Sequence, residues 1–153
     1  MTKLQQTLKF GKWKCIYGDE GDYAGRTGVQ RKDYSFKVHQ AKFVQERLKP
    51  ITIPRGWRSD KKSETTAGEK SQLRAVWGSV NWVQRETRPD VSSLASIGMG
   101  CINQSTVNDL CEANKAVDIL QDDPYIGILI PHIAPSQLKS ATIQDASLGK
   151  CRR

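Results

Sequence analysis

Hydrophobic and polar positions divide the chain into a strand-patterned head, a helical middle and a strand-patterned tail. From residue 8, Leu8, Phe10, Lys12, Lys14 and Ile16 alternate loosely with Lys9, Trp13 and Cys15, the pattern of a half-buried strand. Gly18-Asp19-Glu20-Gly21-Asp22 then predicts a turn. A second strand is predicted from Tyr23 to Arg31, a break at Lys32-Asp33-Tyr34-Ser35, and a short third strand from Ser35 to Val38. Residues 8–38 thus predict an antiparallel hairpin or meander of two or three strands. Gln40 to Lys49 predicts a short helix with Phe43, Val44, Arg47 and Leu48 on one side, stopped by Pro50.

Residues 50–68 have the composition of a polar, basic, mobile linker: Pro50, Pro54, Gly56, then Arg58-Ser59-Asp60-Lys61-Lys62-Ser63-Glu64. Trp57 inside it is either a packing anchor, the favoured reading, or a surface on which a base stacks. Thr66-Ala67-Gly68-Glu69 is a capping box that opens a helix carrying Leu73, Val76, Trp77, Val80 and Val83 at helical spacing. Pro89 ends that helix, and Asp90 is placed to cap the next. The second helix spans about residues 91–102, with Val91, Leu94, Ala95, Gly98, Cys101 and Ile102 inward. A third opens at Thr106, has Asp109 three residues on, carries Val107, Leu110, Cys111, Asn114, Val117 and Leu120, and ends at Asp122-Asp123-Pro124. Two strands are predicted to follow, Tyr125–Pro131 and Leu138–Ala146. The expected fold is therefore α+β: an N-terminal antiparallel β-hairpin or meander, a central bundle of three to four helices, and short C-terminal strands.

At 153 residues with 37% hydrophobic positions, the chain can build one lean core. It has no run of about 18 apolar residues and no apolar leader after Met1, so the expectation is an intracellular protein, not secreted and without a membrane span. None of Cys15, Cys101, Cys111 and Cys151 forms a C-x-x-C pair, which argues against a zinc ribbon or a dithiol redox motif. Charge changes the picture more. Residues 1–65 hold 15 Lys and Arg against 7 Asp and Glu, whereas residues 66–153 hold 9 of each. The whole formal excess of +8 lies in the first two-fifths. Such asymmetry fits a polyanion partner, most simply nucleic acid, or a merely solvated face.

Catalytic patterns are sparse. His39 and His132 lack partners at helical spacing and are expected at the surface or as caps. Gly18, Gly21, Gly25 and Gly28 fit neither a Walker loop nor G-x-G-x-x-G. Asp145, at the end of an apolar strand, is either a turn residue or one ligand of a hard cation, which needs more oxygen donors than one.

The order of short motifs carries a further indication. Phe10-Gly11-Lys12-Trp13, with Gly25-Arg26 and Gln30, precedes His39-Gln40-Ala41-Lys42-Phe43-Val44. Then come residues 73–82, Leu-Arg-Ala-Val-Trp-Gly-Ser-Val-Asn-Trp, followed by Thr87-Arg88-Pro89-Asp90-Val91, Ala113-Asn114-Lys115-Ala116 and Asp145-Ala146-Ser147-Leu148. This series resembles the polyprotein of copia-type retrotransposons, from the end of the reverse-transcriptase palm through thumb and connection to the first strand of RNase H. The resemblance implies a palm-end hairpin and first thumb helix over 1–49, a basic linker over 50–68, a helical thumb or connection over 69–123, and a truncated RNase H start over 124–153.

It also implies roles. Lys12 and Trp13 would lie near a primer terminus. Lys42, Arg47, Lys49, Arg55, Arg58, Lys61 and Lys62 would meet the phosphates of an RNA–DNA or DNA duplex. Thr87, Arg88, Pro89 and Asp90 would form a structural joint. Asp145 would be the first metal ligand of RNase H, for which the parent family uses magnesium. The sequence departs from the family where catalysis is concerned: it has no aromatic-x-Asp-Asp pair in a palm position, and only Lys150, Cys151, Arg152 and Arg153 follow Gly149. The expectation is a fragment or remnant without catalysis or cofactor of its own, whose partners are duplex nucleic acid and possible missing polyprotein segments. The alternative is a non-catalytic nucleic-acid-binding or protein-interaction module.

Overall fold

The computed structural model describes residues 16–54, 56, 60–137 and 139. The strand pattern over 8–15 and, but for Lys139, that over 138–146 lie outside these residues, as do Cys15, Trp57, Cys151 and Asp145. The architecture is α+β. Among the described residues four strands, β1 (Glu20–Tyr23), β2 (Arg26–Gln30), β3 (Phe36–His39) and β4 (Gly127–Ile130), form one antiparallel sheet in the order β1-β2-β3-β4. Among the described residues the α-helices are, in chain order, α1 (Ala41–Glu46), α2 (Ala67–Glu86), α3 (Ser92–Cys101) and α4 (Val107–Asp122).

The first hairpin turns at Ala24-Gly25, where φ is 48° and 74°. Two consecutive left-handed residues match the right-handed twist of the flanking strands. Gly25 is required for a second reason: a Cβ there would stand 2.5 Å from the Trp82 ring. This places the turn later than its composition predicts. Glu20, Gly21 and Asp22 belong to β1, and Gly21 pairs with Gly28 across the hairpin. Ile16 and Phe36 fill the space that Cβ atoms at these two glycines would take.

The capping box read at Thr66 forms, and the structure shows a second at Thr106. The Thr66 hydroxyl accepts from Glu69 N–H while the Glu69 carboxylate accepts from Thr66 N–H at 2.7 Å. Thr106 and Asp109 repeat the arrangement at the start of α4. Each box satisfies backbone donors that would otherwise lack partners at a helix start. The five stripe residues of α2, Leu73, Val76, Trp77, Val80 and Val83, are all buried. They pack against Val107, Leu110, Ala113, Val117 and Leu120 of α4 and Ala95 of α3. Removing such side chains from water contributes about 1.5–3 kcal/mol each for Val or Leu. Val44, Leu48, Ile51 and Ile53 join the same core. Val44 and Leu48 thus join the core of the helical segment, and Gly127–Ile130 joins the sheet begun by β1 to β3.

Several expectations need correction. α1 ends at Glu46, short of Lys49. The described residues of 50–68 are tied to the helical part on both sides, at Ile51 and over 61–65. The Asn114 side chain accepts from Ile51 N–H at 2.7 Å and donates to Ile51 O at 2.8 Å, as a neighbouring strand would. Thr65 N–H donates to Ser105 O, Val107 N–H to Ser63 O and Asn108 N–H to Lys61 O. Cys101 is exposed, because Ile102, in a 3-10 turn after α3, takes the inward place. Of the two places expected for His39, surface or cap, it takes the second: it is buried at the start of α1. Its Nδ1 accepts from Ala41 N–H at 3.3 Å, and its ring meets Tyr125 edge-on. Burial pushes the His39 imidazole below its ordinary pKa. Among the described residues no helix is long and apolar enough to cross a membrane.

Candidate nucleic-acid interface

Five of the basic residues named for phosphate contacts are described, Lys42, Arg47, Lys49, Lys61 and Lys62, and all five are exposed. They fall into two groups. Lys42 on α1 and Arg47 just beyond it line a groove of 230 Å³ between α1 and the first hairpin, shared with Gly25, Thr27 and Phe43. Asp22 and Glu46 line the same groove, and Lys42 Nζ lies 3.4 Å from Asp22 Oδ2. Lys49 Nζ donates to Gln45 O. Lys61 lines a second cavity of 390 Å³ with Pro50, Ile53, Asn114 and Lys115. Lys115, in the more neutral part of the chain, was missed by the charge count, since only α4's packing brings it beside Lys61. Lys12, Trp13, Arg55 and Arg58 lie outside the described residues.

The walls of the groove are tied to α2. Trp82 of α2 lies edge-on to Phe43 with centroids 4.5 Å apart and rests on Gly25. Arg26 of β2 pairs with Glu86 at the end of α2 at 2.7 Å. These contacts tie both α1 and the hairpin to α2.

Thr87, Arg88 and Asp90 meet at a joint. The buried Thr87 hydroxyl donates to Gln40 Oε1 at 2.8 Å, tying the α2 end to the residue after β3. Arg88, also buried, donates from Nε and one terminal nitrogen to the Asp90 carboxylate, each at 2.9 Å. Its other terminal nitrogen donates to Asp123 O at 3.0 Å. Asp90 is therefore not a helix cap, as its position suggested; α3 begins without a side-chain cap. Hydrogen bonds from Arg88 hold the Asp90 carboxyl below the usual carboxylate range.

Asp122 and Asp123 stand exposed at the end of α4. Among the described residues no group of three or more His, Cys, Asp or Glu side chains is placed to hold a metal ion. Comparison with protein-family models, with curated proteins and with solved structures finds no match.

Proposed function

We propose that the chain is a segment of a copia-type reverse-transcriptase and RNase H polyprotein that lacks catalysis of its own and lends a basic face to template–primer binding. The observation that carries this reading is the charge partition: the whole excess of +8 sits in residues 1–65, and every described cation named from that region is exposed. Exposed lysines and arginines release condensed counterions when they meet phosphates, which drives binding without reading sequence. The ordered motifs from Phe10 to Leu148 supply the family part of the reading.

The test is affinity for an RNA–DNA hybrid, with Lys61 and Lys62 both changed to Glu. The double variant is expected to bind about tenfold more weakly at physiological salt. The salt slope should fall by about 2. Unchanged affinity would overturn the binding role, and magnesium-dependent cleavage of the hybrid by the wild-type chain would overturn the non-catalytic one. A second reading, docking to another protein chain, is favoured by one observation: Ile128, Leu129 and Ile130 of β4 are all exposed. A mass that rises with concentration and ignores nucleic acid would select it.

A further inference from the structure

We propose that the end of the sheet at the β2–β3 turn is a stacking platform for the unpaired bases of a single nucleic-acid strand, separate from the duplex-binding cations above. Three rings from distant parts of the sequence meet there. Tyr34, in the turn, lies 5.6 Å from Tyr17 and 5.7 Å from His132, centroid to centroid, each pair tilted. All three residues are exposed, Tyr34 at 58% and Tyr17 at 49%. The three exposed residues therefore form a continuous aromatic row at the surface. Bases stack on such rows without sequence preference, because every base has a π-face.

Charge and backbone point the same way. Arg31 and Lys32 stand exposed in the same turn, within reach of the phosphates that a stacked strand would bring. The carboxylate of the turn, Asp33, accepts from Ser35 N–H and from the Ser35 hydroxyl. Tyr34 has φ of 64°, a left-handed conformation that a bulky side chain adopts only under constraint. The turn is closed by Arg31 N–H to Ser35 O and Tyr34 N–H to Arg31 O. Strain of this kind persists where the surroundings fix it, and here it holds a large apolar ring out in water. Asn or Gly would meet the backbone requirement without strain. The ring is what Tyr34 adds.

The backbone also supplies the test. Tyr34→Asn keeps a residue suited to the left-handed conformation, so the fold is expected to survive with little change in melting temperature. Binding of a labelled twenty-nucleotide oligo-dT is measured at low salt for wild type, Tyr34→Asn and Tyr34→Phe. Wild type and Tyr34→Phe are expected to bind alike, and Tyr34→Asn about tenfold more weakly, the effect of losing one stacked base. RNA–DNA hybrid affinity should stay unchanged in both variants, while the Lys61 and Lys62 double variant loses hybrid affinity. The two readings therefore fail separately. Equal oligo-dT affinity in wild type and a folded Tyr34→Asn overturns the platform, as does wild type that does not bind oligo-dT.

Discussion

Replacing Trp77 by Ala is expected to lower the unfolding free energy by about 3–5 kcal/mol, the range for truncating a fully buried large aromatic side chain. Trp77 is 1% exposed and stands in the α2 stripe facing α3 and α4. Gly98 of α3 lies so close to the indole that a Cβ there would come within 2.2 Å of the ring. The backbone of α3 thus forms one wall of the site. Main chain collapses into a void less readily than side chains do, so the lost volume remains as a cavity. For a domain of this size the loss corresponds to a drop in melting temperature on the order of 10–20 °C. A drop of only a few degrees would show that α3 is not held against α2 as described.

Asp90→Asn is expected to cost about 2 kcal/mol at neutral pH, more than a surface ion pair and less than a fully buried one. The Arg88 side chain is 4% exposed, so removing its counter-charge strands a buried guanidinium. The Asp90 side chain is 49% exposed, and water shares the task of balancing the charge, which reduces the penalty. The pH dependence follows from the direction of the Asp90 shift. Its folded pKa lies below the unfolded one, so its contribution is complete above the unfolded value and is lost as pH falls through the folded value. The gap between wild type and Asp90→Asn should therefore narrow below about pH 4. Denaturant melts across that range measure it; a gap as wide at pH 2 as at pH 7 would contradict the assignment.

What was legible in the sequence was local. The capping boxes at Thr66 and Thr106 are short-range hydrogen-bond patterns, and the α2 stripe is a periodicity, so both could be read directly. Packing and burial overrode composition elsewhere. Gly21 read as a turn residue, yet it sits in β1 where Ile16 needs its space. Residues 50–54 read as linker because the group that anchors Ile51 belongs to Asn114, far along the chain. Asp90 read as a cap because nothing local shows that Arg88 is buried beside it. Pairing of β4 with β3 was likewise beyond local pattern.

The candidate site divides in the same way. The cations Lys42, Arg47, Lys49, Lys61 and Lys62 were visible as a compositional excess. Their separation into two surfaces was not, nor was the company of Asp22 and Glu46 in the first groove. The row of Tyr17, Tyr34 and His132 had no sequence signal, because it exists only once the sheet brings three segments together.

The most direct measurement of the account is the salt dependence of hybrid binding by the wild-type chain. Affinity for a blunt RNA–DNA hybrid is titrated from 50 to 200 mM monovalent salt. If about five exposed cations meet phosphates, log affinity falls against log salt with a slope of about −4, a loss of a few hundredfold over that range. A slope near zero, or no binding at 50 mM, would contradict the proposed role of the basic face.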